Sequence, residues 1–384
     1  MCYNLFHVLI IIQIIYIVSN KNKDNLRIKS LFKSKKYMNL CLNGILINTK
    51  IQKFPIKPNI TVIIPAYNCE KTIKTSIRSI QNQNMNNIEI IIINDFSNDN
   101  TYKIIEELTK EDFRIKIINN NKNMGTLYSR CIGTLNAKGM YIFPLDDDDL
   151  FMNEDIFSII LDEAEKGKYD IIGFHAIRGP SYKPYLHEMI DDIYHDNPNN
   201  IILYQPELGR HSIIKNGKYE INNIHIWGKC IKTEIYQNAV NSLGEKKYSY
   251  FMSWAEDTSM IYILFNIAKT YKFISIYGVY HLMSEETACY TQSIENKLFG
   301  EIFLLDVLFD YSKEDLIKKK YFVMKILELT INDLFEEGIK NIKNRNYLEY
   351  VLQKFIESNY TKEEKNITIN TYKKLGFFNK TIII

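Results

Sequence analysis

Short apolar runs alternate with segments of helical periodicity between residues 60 and 145, and this alternation restricts the fold more than any other feature. The runs are rich in β-branched and aromatic residues, as expected of strands buried on both faces, and they occupy residues 60–64, 88–93, 115–118 and 141–143. In the gaps between them, apolar residues recur three or four positions apart, which predicts helices that cover the sheet. The alternation therefore predicts β-α-β units and an α/β fold with a mostly parallel sheet.

Polar loops follow all four predicted strands. They comprise residues 65–70, 94–101, 123–125 and 146–149. In open α/β sheets, ligands bind beyond the carboxyl ends of the strands, so these loops are expected to carry the chemistry.

The fourth loop is an unbroken run of aspartates, Asp146, Asp147, Asp148 and Asp149. Adjacent carboxylates repel one another, so their position at the end of an apolar strand predicts that a cation binds there. Oxygen ligands on a short turn suit Mg²⁺ or Mn²⁺. A solvated acidic turn is the alternative interpretation of the run taken by itself.

We expect the four loops together to form a nucleotide pocket. In it, Asp95 could accept hydrogen bonds from a base or ribose, and Arg130 could face a diphosphate. Local structure offers other interpretations. A residue of the 97–99 segment could simply cap the second helix, Gly125 could only permit a tight turn, and Arg130 could be a surface ion-pair partner.

Composition excludes several classes of function. The 384 residues are 46% hydrophobic and 24% charged, enough for one large globular domain or two smaller ones. A net charge of +3 with scattered lysines provides no basic face for nucleic acid. The six cysteines include no C-x-x-C pair, so they indicate neither a zinc site nor a disulfide framework.

The N-terminus carries an apolar segment at residues 5–18. Lysine and arginine are absent before it and frequent after it, which favours an uncleaved anchor over a cleaved signal peptide. We therefore expect an anchor or signal-like segment at residues 1–20, a polar linker at 21–58 and membrane association. The basic flank favours the cytosolic face, whereas a type II arrangement would favour the ER or Golgi lumen, so the orientation stays open. A buried element is the other interpretation of the apolar segment.

The segment from residue 60 to about residue 155 resembles the family 2 glycosyltransferases, enzymes of the GT-A fold that use nucleotide-sugar donors. Residues 65–70 match the P-x-Y-N-x-E pattern of that family without a gap. Residues 94–101 match its D-D-x-S-x-D-x-T loop, except that Asn94 replaces the first acid.

Two further motifs continue this resemblance. Residues 123–131 correspond to N-x-G-x-x-x-A-R-N, with the arginine retained and Cys131 in place of the final asparagine. The aspartate run corresponds to L-D-x-D-D. The resemblance implies that Asp146 and Asp148 form the D-x-D pair, with Asp148 the more direct metal ligand. It also implies that Asp149 supports them and that Asp147 is replaceable.

A second block lies further along the chain. Residues 227–232 resemble the tryptophan-glycine-lysine segment of bacterial sugar transferases, and residues 254–258 resemble their E-D motif. This implies that Asp257 is the general base and that Glu256 supports it. From the residues alone, the two acids could be favourable first-turn charges on a helix.

The resemblance implies an inverting, metal-dependent hexosyltransferase with a Rossmann-like GT-A sheet flanked by helices. It implies Mn²⁺ or Mg²⁺ as cofactor, a nucleotide-sugar donor that we expect to be a UDP-sugar, and a glycan, lipid or protein acceptor. The implied nucleotide-sugar contacts are Pro65, Tyr67, Asn68, Glu70, Asp95, Arg130, Asp146 and Asp147.

The rest of the chain is less specific. His281 could reach the metal or be structural, and Trp227 and Trp254 could stack on a sugar or pack in the core. Helical periodicity dominates towards the C-terminus, so we expect a transferase domain at residues 59–292 and a helical appendage at 293–384.

Two other functions compete with this hypothesis. A sugar nucleotidyltransferase also binds nucleotides on an α/β sheet, but the glycine-rich loop typical of such enzymes does not follow the first strand here. A membrane-anchored sugar-binding or degenerate transferase-like protein is consistent with the departures at Asn94 and Cys131. Metal-dependent turnover of a nucleotide sugar discriminates it from the leading hypothesis.

Overall fold

The structure is a computed structural model, and it describes residues 57–179, 201–205, 214–215, 218–219, 225–283, 293–311 and 350–351. All of these belong to a compact unit that begins at Lys57. The predicted anchor and nearly all of the predicted linker lie outside the described residues. In the described part of the chain, no helix has the length and apolarity required to cross a bilayer.

From β1 to β4, strands and helices alternate in the order that the sequence predicts. The strands are β1 Ile60–Ala66, β2 Ile88–Asn94, β3 Ile115–Asn119, β4 Tyr141–Pro144, β5 Leu150–Phe151, β6 Ile171–Gly179, β7 Ile202–Tyr204, β8 Ile214–Lys215, β9 Lys218–Tyr219, β10 Lys229–Lys232 and β11 Thr270–Leu282. The helices are α1 Ile73–Gln81, α2 Thr101–Glu111, α3 Thr126–Asn136, α4 Ile156–Gly167, α5 Thr233–Leu243, α6 Glu245–Tyr248, α7 Glu256–Ile267 and α8 Ile294–Tyr311.

Within the described ranges, nine strands form one sheet in the order β3-β2-β1-β4-β10-β6-β11-β5, with β7 also paired to β11. Strand β1 pairs in parallel with β2 and β4, and β2 pairs in parallel with β3. The loops after these strands therefore open at one edge of the sheet. The second half is mixed, because β10 runs antiparallel to β4 and β6 while β11 runs parallel to β6. The predicted parallel character thus holds for the first half.

The isoleucine-rich strands are buried on both faces. In β1, Val62 and Ile64 pack into one core cluster, which contains residues of α1, α2 and α4. Ile63, between them, packs into a second cluster with residues of α3, α5, α7 and α8. Successive side chains point to opposite faces of a strand, so a continuous apolar run is what a sheet between two helical layers requires.

Helix α8 is the described beginning of the predicted C-terminal helical region. Its side chains Phe303 and Leu308 are buried in the same core cluster as those of α7. A Cβ atom on Gly300 would lie 2.1 Å from the carbonyl oxygen of Trp254, so α8 crosses this backbone at very close range. The helix therefore packs directly behind the residues that lead into the Glu256 and Asp257 motif.

Candidate functional site

Side-chain hydrogen bonds join the loop after β1 to the loop after β2. The Asn68 N–H donates to Oγ of Ser97 at 3.1 Å, and the Asn98 N–H donates to Oδ1 of Asn68 at 2.8 Å. Oε2 of Glu70 accepts from the backbone and side-chain nitrogens of Asn100 at 2.9 and 2.8 Å. Two residues predicted to contact the nucleotide sugar, Asn68 and Glu70, thus also hold the two loops together.

Asp99 stabilises the start of α2. Its Oδ1 accepts from the Thr101 N–H at 2.9 Å, and its Oδ2 accepts from the Glu70 N–H at 3.1 Å. Burial acts to raise the pKa of Asp99, but these hydrogen bonds lower it overall. The N-cap residue itself is Asn100, which makes no side-chain cap hydrogen bond, so Asp99 supports the first turn of the helix from one position before the cap.

The other two predicted residues of the β1 loop differ in exposure. Pro65 is buried in β1 and lies beside Ile93 of β2. Tyr67 is 44% exposed, and its N–H donates to Oδ2 of Asp147 at 3.1 Å. The aspartate run is thus attached directly to the β1 loop.

Asp95 is buried and orders the loop after β3. One carboxylate oxygen accepts from Asn120 Nδ2 at 2.7 Å and from the Met124 N–H at 2.8 Å, and the other accepts from the Gly125 N–H at 2.8 Å. Gly125 has φ of +88°, and a Cβ there would lie 2.6 Å from the carbonyl oxygen of Met252. Both the turn and the close packing require glycine. The contact of Asp95 with a base or ribose stays a prediction.

Arg130 lies at the centre of the acidic residues and is only 3% exposed. Its Nη2 contacts Oδ1 of Asp146 at 2.8 Å, and its Nη1 contacts Oδ1 of Asp257 and lies 3.7 Å from Oε1 of Glu256. Burial acts to lower the pKa of Arg130, but the carboxylates of Asp257, Asp146 and Glu256 raise it, so the guanidinium stays charged. The surface ion-pair interpretation is wrong, and one buried cation joins the aspartate run to the E-D motif.

The predicted base lies in the first turn of α7. Glu256 is the first residue of this helix, and it follows Ala255, whose φ is +58°. Oδ2 of Asp257 accepts from the Ile226 N–H at 3.2 Å. Burial raises the pKa of Asp257, although Arg130 opposes the shift, and burial together with Asp257 raises the pKa of Glu256 to about 7. The two acids are first-turn charges and also partners of the buried arginine.

Asp149, the last residue of the aspartate run, is buried and contacts His281. Oδ1 of Asp149 lies 2.8 Å from Nδ1 of His281 and accepts from the Leu282 N–H at 3.2 Å. Its Oδ2 is buried and has no hydrogen-bond partner among the described residues. Burial raises the pKa of Asp149 to about 6, and His281 opposes that shift.

These residues meet the requirements of a cation site. One ligand atom each from Asp146, Asp149 and His281 lies within 4.8 Å of the others. Two carboxylates and an imidazole suit Mn²⁺, and an unpartnered buried carboxylate oxygen is costly unless a cation or donor satisfies it. The donor set therefore fits the expected divalent ion.

The composition of this cluster differs from the expected D-x-D pair. Asp146 belongs to the cluster, as expected. Its other two members are Asp149, which was expected only to support the metal ligands, and His281, for which a structural role was the alternative. Burial and the neighbouring aspartates raise the pKa of Asp148 to about 9. Direct ligation by Asp148 stays a prediction. In the sequence, His281 was notable only for its position near the end of a predicted strand. The pairing of β11 with β5 brings it beside the aspartate run.

Asp147, which the resemblance implies is replaceable, makes two hydrogen bonds to other parts of the fold. Besides accepting from the Tyr67 N–H, it contributes its backbone carbonyl to Oγ of Ser76 at 3.0 Å. Burial raises the pKa of its carboxyl to about 6, and hydrogen bonds from Cys69 and Tyr67 oppose the shift. The side chain fastens the run to the loop after β1, and the replaceability of Asp147 stays a prediction.

Trp227 is stacked between ring systems of the protein itself. Its ring centroid lies 4.5 Å from that of His225 and 4.9 Å from that of His281, with interplanar angles of 19° and 20°. At 5% exposure, it offers no open face to a sugar. Trp254 is half-buried, and Nζ of Lys297 lies 4.9 Å from its ring centroid.

Comparisons with known proteins relate this chain to sugar transferases. Residues 61–221 match the sequence model of the family described as Glycosyl transferase family 2. An uncharacterized glycosyltransferase of Haemophilus influenzae is 37% identical over 42% of this chain and 56% of its own length. The GalNAc(5)-diNAcBac-PP-undecaprenol beta-1,3-glucosyltransferase of Campylobacter jejuni is 33% identical over 30% of this chain and 38% of its own length. The chain thus spans only 56% and 38% of these two relatives.

The fold resembles that of S. aureus TarS 1-349, solved in complex with UDP-GlcNAc. The TM-score is 0.57 at 14% identity, and the match covers 83% of this chain and 90% of the TarS chain. Likeness at this identity concerns the fold alone. It agrees with the predicted GT-A sheet flanked by helices.

Proposed function

We propose that this chain, whose residues 61–221 match the Glycosyl transferase family 2 model, transfers a sugar from a nucleotide-sugar donor to an acceptor hydroxyl with inversion. The observation that carries the proposal is the position of Arg130, whose guanidinium contacts Asp146 on one side and Glu256 and Asp257 on the other. A metal-binding and a proton-accepting group within one buried network are what this transfer requires.

The carboxylates of Asp146 and Asp149 support a bound Mn²⁺ or Mg²⁺, and the imidazole of His281 favours Mn²⁺ of the two, with Asp148 next to them in the run. When bound, such an ion supplies Lewis-acid stabilisation of the negative charge on a departing diphosphate. The chain's own contribution is to hold three donors together, with Oδ1 of Asp149 fixed by Leu282 and His281.

Asp257 is the proposed general base. As the acceptor oxygen attacks the anomeric carbon, the carboxylate takes the hydroxyl proton, the new glycosidic bond forms and the bond to the nucleoside diphosphate breaks. Direct displacement inverts the anomeric centre. Arg130 and the Ile226 N–H hold the carboxylate in place, while burial raises its pKa and makes it a stronger proton acceptor than an exposed aspartate.

We propose a UDP-sugar donor. TarS was solved with UDP-GlcNAc, and an Escherichia coli relative, 41% identical over 25% of this chain and 38% of its own length, is named a UDP-Glc:alpha-D-GlcNAc-diphosphoundecaprenol beta-1,3-glucosyltransferase. The proposed acceptor is a glycan, lipid or protein hydroxyl. Lipid-linked glycans are the first acceptors to test, since two relatives are named for undecaprenol-linked substrates.

The test is a thermal-shift screen of nucleotide sugars with Mn²⁺, followed by donor hydrolysis and transfer assays on the compounds that stabilise the protein. We expect a UDP-sugar to stabilise the protein and to turn over only with a divalent ion. Asp257→Asn should retain donor binding and lose transfer. Full transfer by Asp257→Asn would overturn the assigned base, and failure of every nucleotide sugar to turn over would favour a binding protein.

Membrane association through the apolar segment at residues 5–18 is a separate proposal. Protease protection on sealed membrane vesicles tests it. Digestion of the catalytic domain from the cytosolic side would support the orientation that the basic flank favours, and protection from that side would support a luminal one.

A further inference from the structure

The segment from His225 to Lys229, which we call the bridging segment, contacts both halves of the candidate site. The Ile226 N–H donates to Oδ2 of the proposed base Asp257 at 3.2 Å. One residue later, the ring of Trp227 stacks on His281 of the candidate cation site, with centroids 4.9 Å apart. Two adjacent residues therefore connect the base to the cation site.

The backbone holds Trp227 in a defined position. Gly228, the next residue, has φ of +68°, and its carbonyl oxygen accepts from the Phe174 N–H of β6 at 3.0 Å. Nζ of the buried Lys229 contacts the carbonyl oxygen of His225, which closes the segment on itself. The indole therefore belongs to a rigid turn at the sheet.

His281 is restrained on two sides. Nδ1 lies 2.8 Å from Oδ1 of Asp149, which fixes the edge of the imidazole, and the indole of Trp227 lies nearly parallel to it at 20°. The contact at Nδ1 by itself would allow the imidazole to rotate about the line that joins Nδ1 to Asp149. The parallel indole ring opposes this rotation of the imidazole plane. Groups that orient a ligating histidine commonly control metal affinity without touching the metal.

We propose that Trp227 is a positioning residue for the cation site, which fixes the ring plane of His281 relative to the carboxylates of Asp146 and Asp149. The inference deepens the proposed function and rests on its metal. In this proposal Trp227 orients the metal ligand His281 and does not stack on a sugar.

The test compares Mn²⁺ binding by three variants of the full chain, measured from the electron paramagnetic resonance signal of free Mn²⁺ without any nucleotide sugar. Trp227→Leu removes the ring, and Trp227→Phe keeps one. The matched control is Phe265→Leu, because Phe265 is also a buried aromatic residue and lies in α7, where its ring centroid is 5.2 Å from that of Tyr271. Thermal unfolding of each variant reports the loss of packing.

We expect Trp227→Leu to weaken Mn²⁺ binding by about 10-fold to 100-fold, the range typical of groups that orient metal ligands. Trp227→Phe should retain affinity within about threefold of the parent, and Phe265→Leu should lose thermal stability without losing Mn²⁺ affinity. If Trp227→Leu does not fold, Trp227→Met, which also lacks a ring, replaces it.

Two results would overturn the inference alone: parental Mn²⁺ affinity in the ringless variant, or an equal loss of affinity in Phe265→Leu. If the parent binds no Mn²⁺, the inference falls together with the metal part of the proposed function. Sugar transfer itself would then be judged separately, by donor turnover in the presence of a chelator.

Discussion

Arg130 and Asp257 form an ion pair in the interior of the candidate site, although 127 residues separate them in the chain. The same guanidinium contacts Asp146, and the Arg130 side chain is 4% exposed. Helix α3 supplies the arginine, the loop after β4 supplies Asp146, and α7 supplies Asp257. The arrangement makes the proposed base and the aspartate run parts of one electrostatic network.

Removal of this arginine should destabilise the protein strongly. Arg130→Met leaves three partly buried carboxylates without their buried cation. Breaking a buried ion pair by removing one partner typically costs about 3–5 kcal/mol, so we expect a loss towards the lower end of that range. Urea unfolding measures the change. Arg78→Met is the control, because the pair of Arg78 with Glu111 is largely exposed and should contribute less than about 1 kcal/mol. Equal effects of the two substitutions would contradict the buried network.

The stability of the metal-free protein should fall as the pH rises from about 5 to about 7. The pKa values of Glu256 and Asp148 are raised to about 7 and about 9, so the folded state retains protons that the unfolded state has already released. Ionisation of these groups therefore costs stability in this window. Unfolding free energies measured in the presence of a chelator test this, and Asp148→Asn should reduce the slope. A stability that rises with pH in both proteins would contradict these shifts.

A divalent ion should stabilise the protein through Asp149. Ligand that binds only the folded state adds about 2.7 kcal/mol at a concentration 100 times its Kd. Asp149→Asn keeps the size of the side chain but removes the charge, so the stabilisation by Mn²⁺ should largely disappear. Asp155→Asn, at an exposed position, should respond to Mn²⁺ like the parent. Thermal unfolding with and without Mn²⁺ distinguishes the two, and an unchanged response of Asp149→Asn would remove this residue from the site.

Gly300→Ala should impair transfer by displacing α8 from the backbone that precedes Glu256. The added methyl group would lie 2.1 Å from the carbonyl oxygen of Trp254, and such overpacking typically costs about 1–3 kcal/mol. Gly244→Ala is the control for stability, because its φ of +82° strains any other residue although the space around it is open. If the two variants have comparable unfolding free energies and only Gly300→Ala has a lower kcat, the result supports a role of α8 in transfer. Equal kcat values of the two variants would contradict that role.

The local periodicity predicted β1 to β4 and the helices between them because burial on two faces leaves its pattern in each short segment. It could not predict that Asp95 would use both carboxylate oxygens on the loop after β3, since those contacts depend on how two loops approach each other. The local periodicity also could not predict that β10 runs antiparallel to its two neighbours in the sheet. Four residues of a short strand carry no information about their neighbours.

By itself the sequence determined the α/β class, the edge of the sheet where the chemistry lies and the acidic motifs there, because each of these depends on residues close together in the chain. Only the tertiary structure decided which motif members meet. The sheet order places β11 beside β5 and so brings His281 to Asp149, 132 residues away, while the packing of α3 and α7 brings Arg130 to Asp257. Contacts of this kind arise from the mutual burial of distant elements, which no single segment encodes.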